Sequence, residues 1–269
     1  ENSKNLILAI VLSAGVMFGW NYFFPTQQAP APQPQDTTQQ VQETQPVQTD
    51  PGVVETPAVQ APSAETFMPT EDTFITVDTP LYQAVISSAG GVLQSFTLKE
   101  FKLAVEPDSP DKNLVTQESA AFAPMGIMYD SIPTWKDFEW AYTGSQEVSV
   151  AEDGTASIQL TGQSGKLVLM RELVFSADSY LIEEAVTVLN NGDAPVSAAI
   201  GRTVAATEFT GGDNRYNMTR IAYMANETLE EEDDREDLVE EPIKLSSGIA
   251  WAGVQNNYFL MAVAPSSAE

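Results

Sequence analysis

The 269-residue chain carries 38 acidic and 12 basic side chains, a formal charge of −26, and it has neither cysteine nor histidine. So few cations exclude nucleic acid and other polyanions as partners, because phosphate contacts depend on Lys and Arg. Without thiol or imidazole there can be no disulfide framework, thiol nucleophile, Ser-His-Asp triad, zinc hydrolase site or His-dependent sugar isomerase.

The first element is Leu6 to Phe24, LILAIVLSAGVMFGWNYFF, an apolar run without a charged residue. A bilayer core needs about 20 apolar residues wound as a helix, since unpaired backbone groups are costly in lipid. The run predicts a membrane anchor over residues 1–24, starting at Leu6, with Trp20, Tyr22 and Phe24 at the headgroup level of its far end. Lys4 lies on the near side, which orients the N-terminus to the cytoplasm. A cleavable signal peptide fits less well: its apolar part is usually about 7 to 15 residues, and the first small-x-small triplet here, Ala29-Pro30-Ala31, is laced with proline.

Residues 25–66 are dominated by Pro, Gln, Thr and Ala, with no Lys or Arg and no hydrophobic period. Such a composition cannot bury enough apolar surface to offset chain entropy, so it predicts a disordered, semi-rigid spacer. It holds the domain away from the bilayer, whose anionic lipids the chain's acidic field repels.

From Phe67 onward short runs of Val, Ile, Thr, Phe and Tyr alternate with Gly, Asn, Asp and Pro, which predicts an all-β domain over residues 67–269. Phe74–Val77 and Leu81–Ile86 are expected strands around Asp78-Thr79-Pro80, and Gly90-Gly91 a turn before Val92–Leu98. A poorly periodic stretch after Phe101 predicts a long connection with one short strand, followed by the aromatic cluster Trp135, Phe138, Trp140 and Tyr142. Val148 and Val150, the Asp153-Gly154 turn, and Ile158 and Leu160 predict a hairpin. Lys166–Phe175 and Tyr180–Leu189 are two longer strands, Gly211–Asn214 a loop, and Tyr216–Met224 a further strand. Glu227–Glu241 reads as a solvated acidic loop with a helical turn. No fixed repeat emerges, and the whole suggests a large antiparallel sandwich.

Candidate chemistry is sparse. Gly162-Gln163-Ser164-Gly165-Lys166 glances toward a phosphate loop, but Leu160 and Leu167 stand where that motif needs Gly and Ser or Thr, so a hairpin turn is expected. Glu183 and Glu184 are adjacent on a strand and point to opposite faces, so they cannot converge on one sugar. The acidic block lacks the spacing of a calcium loop. It offers Glu230, Glu231, Glu232, Asp233 and Asp234 as a docking surface for a basic partner. No catalytic, cofactor-binding or metal-binding residue is assigned, and no cofactor is expected.

Three stretches resemble one known family. Asn5–Ser13 with Phe18–Phe24 is similar to the first transmembrane helix of the YidC-type membrane protein insertases. Val77-Asp78-Thr79-Pro80-Leu81-Tyr82 with Ser87-Ser88-Ala89-Gly90-Gly91 resembles that family's first periplasmic strands, and Trp251–Leu260 the end of its periplasmic domain. The resemblance implies a bacterial inner-membrane protein whose periplasmic domain is a β-supersandwich, similar in fold to galactose mutarotases but without their histidine-dependent reaction. It also implies nascent inner-membrane proteins as clients, the Sec translocon and its accessory subunits as partners, and an insertase core beyond Glu269. A start without Met and a stop soon after an apolar strand fit a piece of a longer protein. The alternative is a membrane-tethered periplasmic protein that binds or processes carbohydrate, with the aromatic cluster stacking on sugars.

Overall fold

Alternating apolar residues from Phe74 onward are laid down as paired strands. The computed structural model describes residues 67–106, 108–207, 209, 217–244 and 248–266. The expected anchor and spacer, with Leu6, Trp20, Tyr22 and Phe24, lie outside the described residues, as does the Gly211–Asn214 loop.

Strands β1 (Phe74–Asp78) and β2 (Tyr82–Ser87) pair antiparallel from Phe74↔Ser87 to Asp78↔Gln83. The turn between them is built by Thr79, whose hydroxyl accepts from the amides of Leu81 (3.2 Å) and Tyr82 (3.0 Å). Gly90 and Gly91 then take φ of +81° and +69°, a left-handed conformation that side chains resist, and turn the chain into β3 (Leu93–Lys102). With β4 (Asp111–Asn113) and β8 (Glu147–Ser149) these form a five-stranded sheet in the order β4-β3-β2-β1-β8.

A second sheet, β11-β10-β9-β7, contains β7 (Glu139–Ala141), β9 (Thr155–Ser164), β10 (Leu167–Ser176) and β11 (Ile182–Asn190). β9 and β10 meet at Ser164↔Leu167 through the two-residue loop Gly165-Lys166. Only the first of these has positive φ, +60°, the pattern of a type II′ hairpin turn. The expected turn is therefore in place, and the phosphate-loop reading has no support. Inward residues of both sheets, among them Ile75, Val77, Ile86, Leu160, Leu173 and Phe175, are fully or almost fully buried in one shared core. The fold is mainly β, with these faces packed as a sandwich.

Two further sheets, of three and four strands, complete the described residues. One joins β12 (Ile200–Arg202), β5 (Ile127–Tyr129) and β6 (Ile132–Pro133). The other has the order β14-β13-β15-β16, from β13 (Arg220–Ala225), β14 (Thr228–Glu232), β15 (Ile249–Gln255) and β16 (Leu260–Val263). Among the described residues, no helix is long and apolar enough to cross a membrane.

Three expectations are corrected. The Asp153-Gly154 turn exists, but it does not close a hairpin, because β8 pairs in parallel with β1 while β9 pairs with β7 and β10. Val150 shows the reason: its amide already donates to the Asp78 carbonyl at 2.8 Å, so the chain leaves one sheet and enters the other at the turn. The connection after Phe101 holds three short strands and two helical turns, Gln117–Ala120 and Thr134–Asp137, each too brief to show a period. The acidic block is not a loop in its first half. Asn226 and Glu227 both take positive φ (+50° and +65°), as a type I′ turn requires, so Glu230, Glu231 and Glu232 lie on a strand paired to β13. Asp233 and Asp234 then lead into the helix Arg235–Glu240.

Tyr82 is fully buried and stacked on Phe96 at 4.4 Å, with no hydrogen-bond partner for Oη among the described residues. Burial pushes its phenol up to about 12. The folded state therefore favours the neutral ring. That contribution is intact below pH ~10, where the unfolded chain's tyrosine begins to ionise, and it is lost as pH rises toward the folded value. Tyr82→Phe removes an unsatisfied hydroxyl, so it is expected to leave stability at neutral pH unchanged or raised by about 1 kcal/mol. It should also flatten the decline between pH ~10 and ~12. Thermal melts of the two proteins across that range check both effects.

Candidate functional site

Arg171 sits in mid-β10, in phase with the buried Leu169 and Leu173, and its side chain is fully buried. Its cross-strand partner on β11 is Val186, which places Glu184, two residues away, as the diagonal neighbour on the same face. Arg202 reaches the same carboxylate from β12.

The three side chains form a bonded cluster. Arg171 Nη1 donates to the Gly90 carbonyl and, at 3.0 Å, to that of Gly91, while Nη2 donates to the Met125 carbonyl at 2.7 Å. Its Nε lies 2.6 Å from Glu184 Oε1, a charge contact whose N–H is not aimed well enough for a hydrogen bond. Glu184 Oε2 accepts from Arg202 Nε at 2.7 Å, and Arg202 Nη1 donates to the Gly201 carbonyl at 3.0 Å. Burial pushes the Arg171 guanidinium down to about 10, Glu184 opposes that change, and Arg202 adds to it. Arg171 therefore remains a cation at neutral pH, and two guanidiniums face one carboxylate.

This cluster borders a groove of about 510 Å³, within the size range of ligand sites. Its walls are apolar, with Leu98, Phe101, Leu173 and Met261 among them, and among the described residues Glu184 and Arg202 are the two charged side chains on them. The β15–β16 tip forms one side. Phe259 anchors that tip edge-on to Phe101 (5.8 Å between centroids), close to Phe209 (6.3 Å), with the Lys112 ammonium 5.9 Å from its ring centre. Burial lowers the pKa of Lys112.

The acids singled out in sequence stand elsewhere, in the sheet of β13–β16. Glu231 accepts from Arg220 at 2.9 Å and from Gln255, Glu232 accepts from the Asp234 amide at 2.9 Å, and Asp234 caps the short helix through the amides of Glu236 (3.0 Å) and Asp237 (3.1 Å). Glu230 and Asp233 make no side-chain hydrogen bond among the described residues. Three of the five acids thus do local structural work.

Two of the four clustered aromatics cannot serve as a sugar platform, and Tyr142, half-buried, donates its hydroxyl to the Ser145 carbonyl at 2.6 Å. Phe138 and Trp140 are buried, Trp140 donating to the Thr134 carbonyl at 2.8 Å, and Trp135 packs half-buried beneath Gly90 and Gly126. Glu183 and Glu184 do face opposite ways, the first exposed and the second in the cluster. Arg171 went unnoticed in sequence, although it is a charged residue spaced by two from apolar inward positions. Among the described residues, no group of three or more His, Cys, Asp or Glu could hold a metal.

Comparison with known proteins places these residues in context. A family model described as the YidC periplasmic domain matches residues 74–269. A protein of Maridesulfovibrio salexigens named Membrane protein insertase YidC is 38% identical over 265 residues, covering 98% of this chain and 49% of the relative. Proteins of the same name from Nitratidesulfovibrio vulgaris (strain DP4) and Oleidesulfovibrio alaskensis are each 35% identical, over 263 and 266 residues, covering 98% of this chain and 48% of each relative. The chain spans about half the length of the curated relatives it matches.

Proposed function

Because the chain belongs to the YidC family of membrane protein insertases, we propose that it forms the N-terminal part of such an insertase, aiding insertion and folding of inner-membrane proteins by presenting a periplasmic interaction domain. The observation that carries this reading is the similarity to named insertases over 98% of the chain, which takes in the apolar run near the start as well as the β domain.

In this reading residues 1–24 anchor the chain in the inner membrane with the N-terminus in the cytoplasm, 25–66 are the spacer, and 67–269 are the periplasmic domain, a galactose-mutarotase-like supersandwich without mutarotase chemistry. Clients are nascent inner-membrane proteins, and partners are the Sec translocon and its accessory subunits. The core that moves polypeptide into lipid belongs to other parts of the protein, because a polar groove within a bilayer needs several helices around it. The relatives are named as insertases and not by a catalysed reaction, and two of the four clustered aromatics, Phe138 and Trp140, are buried away from any sugar.

The chain by itself is expected to stay in the membrane pellet through alkaline carbonate extraction and to restore no insertion of a Sec-independent client in cells depleted of the native insertase. Photo-cross-linking from the surface of residues 67–269 in the intact protein is expected to capture Sec accessory subunits. Insertion restored by residues 1–269 alone, or calorimetric binding of common sugars by the domain, would refute the assignment.

A further inference from the structure

A segment outside regular structure keeps its place only through the bonds that its own amides and side chains make. Thr70, Glu71, Asp72 and Thr73 lead from the preceding chain into β1, and the first three are exposed. The Thr70 amide donates to the Trp140 carbonyl at 2.9 Å, and its hydroxyl accepts from the Tyr142 amide at 3.1 Å, which fixes this end to β7 in the second sheet. The other end is fixed to the turn between β2 and β3 in the first sheet. There Asp72 Oδ1 accepts from Ser87 Oγ (2.9 Å), Ser88 Oγ (3.2 Å) and the Ala89 amide (3.0 Å). Thr73 donates its amide to Ser88 Oγ at 2.9 Å, and its carbonyl accepts from the Ser88 amide at 2.8 Å. None of the four side chains is apolar, so polar bonds alone hold the segment, whereas β1 beyond it buries Ile75 completely. Stretches with few buried apolar contacts and exposed bonds open at low free energy. The same turn is gripped from within, since Arg171 Nη1 donates to the carbonyls of Gly90 and Gly91, the two residues after Ala89.

We propose that residues 70–73 are a latch, which opens as one unit ahead of the sheets it joins and passes displacement of the preceding chain to Arg171. With the latch shut, the turn at residues 87–91 is held on its outer side by Asp72 and on its inner side by Arg171. With the latch open, Ser87, Ser88 and the Ala89 amide lose their carboxylate, and Arg171 alone ties the turn to the core. A pull on residues 1–66 acts first on Thr70, because it is the first residue of the segment bonded to a sheet. The source of that pull rests on the insertase reading, in which the membrane holds residues 1–24 while the domain engages its partners.

The test is residue-resolved hydrogen exchange on the chain in lipid nanodiscs. The amides of Thr70, Thr73, Ala89 and Tyr142 are expected to exchange through one shared opening, well ahead of those in β9 and β10. Asp72→Ala should speed all four by about tenfold, the effect of losing hydrogen bonds to a charged group. It should leave β9 and β10 protected, which shows that the variant is folded. Tyr142 decides the matter, because Asp72 makes no bond to it. A response confined to Thr73 and Ala89 would make Asp72 a local cap and overturn the latch, and so would strap amides that exchange only together with the sheets. For the link to Arg171, the losses in thermal midpoint from Asp72→Ala and Arg171→Lys are expected to sum to more than the loss in the double variant, since both side chains hold one turn. Strict additivity overturns that link. A chain that washes off membranes in alkaline carbonate, yet opens residues 70–73 as one unit, leaves the latch standing and removes the insertase reading instead.

Discussion

Replacing Arg171 with leucine is expected to lower the thermal midpoint by about 10 °C. The change removes the donor shared by the carbonyls of Gly90, Gly91 and Met125 and leaves Glu184 with one cation where it had two. Taking one partner from a buried ion pair costs about 3–5 kcal/mol, and a domain of this size loses about 2–4 °C per kcal/mol. Arg171→Lys keeps the charge but cannot span three carbonyls on two segments, so it should fall in between. The double variant Arg171→Met/Glu184→Met also takes the carboxylate from Arg202, so it is expected to be no more stable than Arg171→Leu. Differential scanning calorimetry of the four proteins checks the order; an Arg171→Leu protein melting with the parent would show that the cluster holds nothing together.

Gly90→Ala is expected to cost about 2–4 kcal/mol, the sum of a left-handed backbone carrying a Cβ and an overpacked contact. Gly90 has φ of +81°, and a Cβ there would lie 2.8 Å from Trp135 Cβ and 3.0 Å from its Cα. Backbone in a helical turn has little room to retreat. Gly165→Ala is the matched control: φ is +60°, but nothing lies within 4 Å of the added atom. It should cost only the backbone share, about 1 kcal/mol. Denaturant melts of both variants separate crowding from conformation, and equal losses would place the whole cost in the backbone.

Much of the fold was legible because it obeys a period of two. β1, β2 and β10 fall within a residue or two of their expected bounds, since each buries one face against the opposing sheet. What escaped were features set by partners distant in sequence. The parallel pairing of β8 with β1 leaves no local trace, so Val148 and Ile158 looked like two arms of one hairpin. Glu227 at a turn position that favours Gly hid the β13–β14 hairpin inside an acidic run. The candidate site was the least legible part. A lone Arg171 in a strand announces nothing until the pairing register sets Glu184 beside it and β12 brings up Arg202.

The parallel pairing also bears on the order in which the domain assembles. β1 cannot gain its second neighbour until the chain some seventy residues further along has arrived, at Thr76↔Glu147. A polypeptide delivered gradually from its N-terminal end would keep that flank waiting throughout. Contacts so far apart in sequence slow folding and lengthen exposure to aggregation. Variants that weaken the pairing at Thr76↔Glu147 should therefore be degraded during synthesis more than the parent.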